Sequence, residues 1–138
     1  MSETIVFNTE ETLKGNSYAV TENIPIFNLV SENDPILREV LPEFDFINPP
    51  VNPMEFASSL VETCKQHKGY GLSANQCGFR HRVFVMGSGE QYVAFFNPEL
   101  INVSQQESHL VEGCLSFPLL GLSISRPAEV GVRYQDFN

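Results

Sequence analysis

The chain has 138 residues, 42% hydrophobic and 18% charged, which is enough apolar material for one domain with its own core. Its net charge of −9 argues against a nucleic-acid groove or an anionic membrane surface as partner, since either would repel it. No apolar run approaches the roughly 20 residues of a membrane span, and three cysteines without CxxC spacing predict reduced thiols, as in a cytoplasmic protein.

The N-terminal part of the chain divides into an acidic arm and the start of a domain. Residues 1–23 are polar and acidic, and they contain neither the apolar core of a signal peptide nor a basic transit sequence. This composition predicts a flexible arm ahead of a domain over residues 24–138. In that domain, Asp34 followed by Pro35 predicts a helical turn with Asp34 as its cap.

One substantial helix is predicted over roughly residues 53–68. Asn52 can cap it, Pro53 suits its first position and Glu55 can complete a capping box. Four apolar residues follow at the i, i+3, i+4, i+7 spacing that places side chains on one helix face, namely Ala57, Leu60, Val61 and Cys64. Gly69 is expected to end the helix.

The rest of the chain after Arg80 predicts short β-strands. The runs 82–86 and 91–96 are joined by Gly87-Ser88-Gly89, a hairpin signal, and Asn97-Pro98 is expected to break the second run. The remaining candidates are residues 99–105, 107–110, 122–125 and 129–134. The predicted fold class is therefore α+β, with one main helix packed on short, mostly antiparallel strands.

A first candidate site is the segment Gly-Tyr-Gly-Leu-Ser-Ala-Asn-Gln at residues 69–76, directly after the helix. Glycines let the backbone approach a ligand closely, and the Gln76 amide can donate to a carbonyl oxygen or its oxyanion. The same residues also suit a tight helix-to-strand connection, and their spacing alone favours that plainer alternative.

A second candidate site is Glu-Gly-Cys-Leu-Ser at residues 112–116. A thiolate at Cys114, beside free backbone N–H groups, could act as a nucleophile or as a soft metal ligand. Cysteine is also one of the most frequently buried residue types, so an inert core thiol is the alternative.

Together, the two segments resemble the signature motifs of the peptide deformylase family. Its first motif, G-φ-G-φ-A-A-x-Q, is matched with Ser73 in place of the first alanine, a change expected to have little consequence. Its second motif, E-G-C-L-S, is matched at all five positions. Residues 34–38 are similar to the D-P-x-L-R segment of the family, and Arg126-Pro127 is similar to the family's residues beyond the second motif. The resemblance covers about residues 24–138.

The third family motif, H-E-x-x-H, does not occur in the sequence. None of His67, His81 and His109 has an adjacent glutamate or a second histidine four residues on. In the family, this motif lies roughly 40 residues after the cysteine, on a later helix, whereas the chain ends at Asn138. The resemblance therefore predicts a C-terminally truncated domain that lacks the metal-binding helix.

The resemblance implies removal of the N-formyl group from formyl-methionine at the N-terminus of newly made proteins. It implies a metal ion, usually Fe²⁺, for which Zn²⁺ or Ni²⁺ can substitute, with Cys114 as one ligand. Gln76 and the backbone N–H of Leu115 would be the catalytic donors to the formyl oxygen, and Gly69, Tyr70 and Gly71 would contact the substrate. Glu112 and Arg126 are expected to pair behind the site and support the Cys114 loop.

Three functional hypotheses remain open from the sequence. In the first, the chain is part of a deformylase in the cytoplasm of a bacterium or of a cell infected by a bacterial virus. The chain would then be inactive alone, because it lacks two histidine ligands and the catalytic glutamate, and its uncovered apolar surface could cause self-association. The second is a non-catalytic peptide-binding module. The third is a thiol enzyme that uses Cys114, for which no histidine is placed as base.

Overall fold

The computed structural model describes residues 2–8 and 24–136. Along these residues the elements are β1 (Ser2–Asn8), a 3₁₀ turn (Pro35–Arg38), α1 (Pro53–Gln66), β2 (Gly71–Ser73), a second 3₁₀ turn (Ala74–Cys77), β3 (Val83–Ser88), β4 (Gln91–Val103), β5 (Glu107–Cys114), β6 (Phe117–Pro127) and β7 (Glu129–Gln135). Five strands form an antiparallel sheet in the order β1-β7-β4-β3-β2, and β5 pairs with β6 in a separate two-stranded sheet. The predicted α+β class is confirmed.

Helix α1 begins as the sequence predicts but ends differently. Asn52 Oδ1 accepts the Glu55 N–H at 3.1 Å, which caps the first turn. The helix ends at Gln66 rather than at residue 68, and Lys68, not Gly69, takes the left-handed backbone with φ of 57°. The prediction that Gly69 terminates the helix was therefore wrong.

Glycine is needed at position 69 for a different reason, namely close packing. A Cβ there would come within 2.7 Å of Leu115 Cδ1 and 3.3 Å of Cys64 Sγ. The chain just after the helix consequently lies directly beneath the loop after Cys114.

Strand β1 was not predicted. Ser2–Asn8 pairs along its whole length with β7, so this part of the expected flexible arm is the edge strand of the main sheet. The run Thr-Ile-Val-Phe at residues 4–7 is rich in residue types that favour strands, although its polar neighbours obscure that signal in the sequence. Residues 9–23 of the predicted arm lie outside the described residues, and the division into arm and domain stays a prediction.

The predicted β3–β4 hairpin is present, with its turn at Gly89-Glu90 and Gly89 at φ of 59°. The prediction that Asn97-Pro98 breaks this strand was wrong, because the two residues form a bulge within β4. Asn97 adopts φ of 51°, and its side chain bonds the backbone N–H and C=O of Phe44 and the side chain of Gln135. The bulge is thus fixed by contacts from two other parts of the chain.

The other strand predictions fall within longer elements. Residues 99–105 largely belong to β4, 107–110 to β5, 122–125 to β6, and 129–134 to β7. As the alternating pattern of the last run predicts, Val132 and Tyr134 are buried. The second candidate motif therefore lies at the tip of the β5–β6 hairpin.

The main core lies between α1 and one face of the large sheet. Alternate residues of β4 point to opposite faces, so Phe96 joins the helix side and Phe95 the other side. The helix-side core contains Phe56, Leu60, Val61, Cys64, Leu72, Val85, Tyr92 and Ala94. Buried Leu72 anchors β2 at the sheet edge, where the first candidate motif is displayed. Among the residues described, no helix is long and apolar enough to cross a membrane.

Candidate functional site

The two candidate motifs meet in space. The first motif runs along edge strand β2 and into the 3₁₀ turn that contains Gln76, whereas the second occupies the β5–β6 turn. Gln76 Nε2 lies 3.0 Å from Ser116 Oγ and 3.5 Å from Cys114 Sγ. The side chain of Gln76 therefore joins the two segments into one site.

The amide of Gln76 is held in a defined orientation. Its Oε1 accepts both the backbone N–H and the hydroxyl of Ser73, each at 3.0 Å. The reach back to the Ser73 N–H is one half of a capping box at the start of the 3₁₀ turn. With the oxygen fixed in this way, the Nε2 hydrogens face Cys114 and Ser116.

The thiol of Cys114 is exposed, in contrast to the other two cysteines. Burial raises the pKa of Cys64 to about 11 and that of Cys77 to about 12, so both remain protonated and inert at neutral pH. The alternative of Cys114 as an inert core thiol is contradicted by its exposure, and this thiol is available for chemistry beside Gln76.

The loop after Cys114 rests on the C-terminal end of α1. The Leu115 side chain is half-buried against the main core and contacts Gly69. The Gly69 carbonyl in turn accepts the Tyr92 hydroxyl at 3.0 Å and the Cys64 thiol at 3.2 Å. The Leu115 side chain thus packs the loop against the segment that follows α1.

An open groove of about 430 Å³ lies beside Gln76 along β2. Its walls are Tyr70, Gly71, Leu72, Ser73, Gln76, Phe84, Val85 and Met86. Tyr70, at 78% exposure, offers a large ring at the groove mouth. Of the three predicted substrate contacts, Tyr70 and Gly71 line the groove, and Gly69 packs beneath Leu115 instead.

The expected pair of Glu112 and Arg126 is present. Arg126 Nε on β6 donates to Glu112 Oε2 on β5 at 2.5 Å. Glu112 lies two residues before Cys114. Both side chains are partly exposed, so solvent screens the attraction. That the pair supports the Cys114 loop stays a prediction.

The described residues do not form a metal site by themselves. No group of three potential ligands occurs among residues 24–136, and a zinc- or iron-type site needs about three protein ligands. His67 bonds the Thr63 carbonyl at the end of α1, and His81 packs against the rings of Phe44 and Phe56. At the site itself, the exposed thiol of Cys114 is a candidate ligand.

Sequence reasoning missed the contacts made by Ser73 and Ser116. In the sequence Ser116 is only the last residue of a motif, yet its buried hydroxyl receives one of the Gln76 hydrogens. For Ser73 a signal was available, because Ser73-Ala-Asn-Gln76 has the S-x-x-Q pattern of a capping box.

Comparison with known proteins identifies a family. The family model described as polypeptide deformylase matches residues 26–138. The peptide deformylase of Thermotoga maritima is 35% identical over 106 residues, which cover 75% of this chain and 62% of that protein. The peptide deformylase of Bartonella tribocorum is 34% identical over 120 residues, or 82% of this chain and 66% of that protein.

Solved structures agree with the sequence matches. The crystal structure of peptide deformylase from Thermotoga maritima superposes with a TM-score of 0.75 at 31% identity, over 81% of this chain and 75% of that one. The enzyme from Ehrlichia chaffeensis in complex with actinonin gives 0.72 at 27% identity, over 82% and 70%. The chain spans about half to three fifths of the length of the Thermotoga relatives it matches.

Proposed function

The chain belongs to the polypeptide deformylase family, and we propose that it forms the part of a deformylase that recognises the formylated end of a new protein. The reaction removes the N-formyl group from formyl-methionine by hydrolysis of a formamide bond. The observation that carries this proposal is the contact of Gln76 with Cys114 and Ser116. It places an amide donor beside an exposed thiol at the end of an open groove.

The proposed task of Gln76 is to stabilise developing charge. When a nucleophile attacks a formyl carbon, negative charge forms on the formyl oxygen, and preorganised N–H donors lower that barrier by about 3–4 kcal/mol each. Gln76 Nε2 is such a donor because its carbonyl end is already occupied by Ser73. The backbone N–H of Leu115, whose side chain is wedged against Gly69, is the proposed second donor.

The proposed substrate path runs along β2. This strand is the last of the large sheet, so its outer edge offers backbone groups to an extended peptide, which can add as a further strand. The groove beside it is walled by Phe84 and Met86 and suits an apolar first side chain such as methionine. Tyr70 and Gly71 would contact the peptide at the groove mouth.

The proposed function includes a metal ion, and the described residues would supply only part of its set of protein ligands. Cys114 is one candidate ligand for Fe²⁺, Zn²⁺ or Ni²⁺, and the described residues contain no group of three potential ligands. We expect the 138-residue chain alone to bind these ions weakly and to show no appreciable turnover. The proposed place of action is the cytoplasm, where formylated chains are made, and self-association of this chain stays a prediction that sedimentation can check.

Peptide binding by NMR tests the proposed function. Adding formyl-Met-Ala-Ser is expected to perturb the signals of β2, Gln76 and Leu115, and the same peptide without the formyl group is expected to bind more weakly. Gln76→Ala should remove the preference for the formyl group, whereas Gln91→Ala, at the exposed β3–β4 turn, should leave it intact. Equal binding of both peptides, or perturbations away from β2, would contradict the proposal.

A non-catalytic peptide-binding module is the second candidate. One observation favours it, namely that the described residues form a groove beside the Gln76 amide but no group of three potential metal ligands. The two candidate functions can be distinguished by fusing a C-terminal deformylase segment that contains H-E-x-x-H to this chain. Gain of turnover would support the enzyme, whereas unchanged peptide binding without turnover would support the module.

A further inference from the structure

The departure from the family motif at residue 73 places a hydroxyl where the motif has alanine. Ser73 Oγ lies 3.0 Å from Gln76 Oε1, which also accepts the Ser73 backbone N–H at 3.0 Å. Alanine at this position would keep the backbone bond but could not make the hydroxyl bond. The serine therefore adds a second donor to the oxygen end of the amide.

The surrounding donors and acceptors determine which end of the amide faces which neighbour. A backbone N–H can only donate, so the end that faces the Ser73 N–H must be the oxygen. At the other end, Ser116 Oγ takes one Nε2 hydrogen at 3.0 Å, and this serine is only 8% exposed. The second hydrogen faces Cys114 Sγ at 3.5 Å, a longer contact with a weaker acceptor. A ligand oxygen can therefore replace Cys114 Sγ as the acceptor of this second hydrogen.

We propose that Ser73 is a positioning residue whose hydroxyl, together with Ser116, holds the Gln76 amide with one N–H aimed at the space beside Cys114. The inference rests on the proposed function, in which this N–H meets the formyl oxygen. Two donors on Oε1 draw electron density from the amide nitrogen, and neighbouring hydrogen bonds in such a chain strengthen one another by about 10–30%. Ser73 thus makes Gln76 both less mobile and a better donor.

Side-chain amide NMR of the 138-residue chain tests this arrangement without any need for turnover. The two Nε2 proton signals of Gln76 are assigned by their loss in Gln76→Glu. In Ser73→Ala they should move upfield and exchange with solvent about 2- to 10-fold faster, the range expected for loss of one neutral hydrogen bond. Ser73→Thr retains a hydroxyl and should restore both properties. Ser123→Ala, which removes an exposed hydroxyl from β6, is the matched control and should change neither.

Peptide binding gives a second readout. The preference for formyl-Met-Ala-Ser over the unformylated peptide should fall about 2- to 10-fold in Ser73→Ala and recover in Ser73→Thr. Unchanged Gln76 signals in Ser73→Ala, no rescue by threonine, or an undiminished formyl preference would overturn the proposal. If no variant binds the formylated peptide while the Gln76 signals respond as expected, the proposed function fails and the role of Ser73 in holding the amide stands.

Discussion

Replacement of Gly69 by alanine should disturb the site from below. The added Cβ would lie 2.7 Å from Leu115 Cδ1, 3.2 Å from Leu115 Cγ and 3.3 Å from Cys64 Sγ, so Leu115 has to move. Overpacking of this kind costs about 1–3 kcal/mol, and the lower entropy of the unfolded alanine chain offsets about 0.4–1 kcal/mol of that. We expect Gly69→Ala to lower the free energy of unfolding by up to about 2.6 kcal/mol.

Urea unfolding measures the stability change, and the reaction rate of the Cys114 thiol with a disulfide reagent measures the shift of the loop. Cys114 should react faster in Gly69→Ala, because displacement of Leu115 loosens the contact between Gln76 and Cys114. Gly121→Ala on β6 is the matched control, since its Cβ would meet Val111 Cγ1 at an ordinary 3.5 Å. If the Gly69→Ala chain matched this control in both stability and thiol reactivity, packing beneath Leu115 would not position the loop.

Three further predictions concern other parts of the chain. Burial lowers the pKa of His81, so the folded chain binds fewer protons at this residue than the unfolded chain does. The free energy of unfolding should therefore fall as the pH drops below about 6.5. In urea titrations at several pH values, His81→Phe should flatten this dependence. Asn97→Ala removes three hydrogen bonds that fix the β4 bulge and should cost about 1.5–4.5 kcal/mol in urea unfolding; a loss below about 0.5 kcal/mol would argue against that role. A double-mutant cycle on Glu112→Ala and Arg126→Ala should give a coupling of about 0.2–1 kcal/mol that shrinks in high salt, and zero coupling at low salt would remove the pair as a support.

Local signals in the sequence were sufficient for the elements that depend on local contacts. The cap at Asn52 and the spacing of apolar residues identify α1, because capping and helical periodicity act within one or two turns. The β3–β4 hairpin was likewise predictable, since its turn needs a residue at positive φ and Gly89 supplies it. The two motifs pointed to the correct family for the same reason, as each is a continuous stretch of sequence.

Contacts between distant parts of the chain were beyond the reach of such signals. The bulge at Asn97 was mistaken for a strand end, because its partners Phe44 and Gln135 lie far away in sequence. Strand β1 was missed because its stabilising partner, β7, is formed by residues at the opposite end of the chain. Its strand-favouring run at residues 4–7 is short and flanked by polar residues, and only pairing satisfies its backbone groups.

The sequence by itself determined the helix, the hairpin and the α+β class, and its two short motifs indicated the family. Only the tertiary structure decided that Gln76 touches Cys114 and Ser116, that Gly69 is needed beneath Leu115, and that the Ser73 hydroxyl holds the amide. The physical reason is that side-chain hydrogen bonds and close packing depend on distances between segments. Those distances are set by how the sheet and the β5–β6 hairpin fold together, which no local pattern of residues encodes.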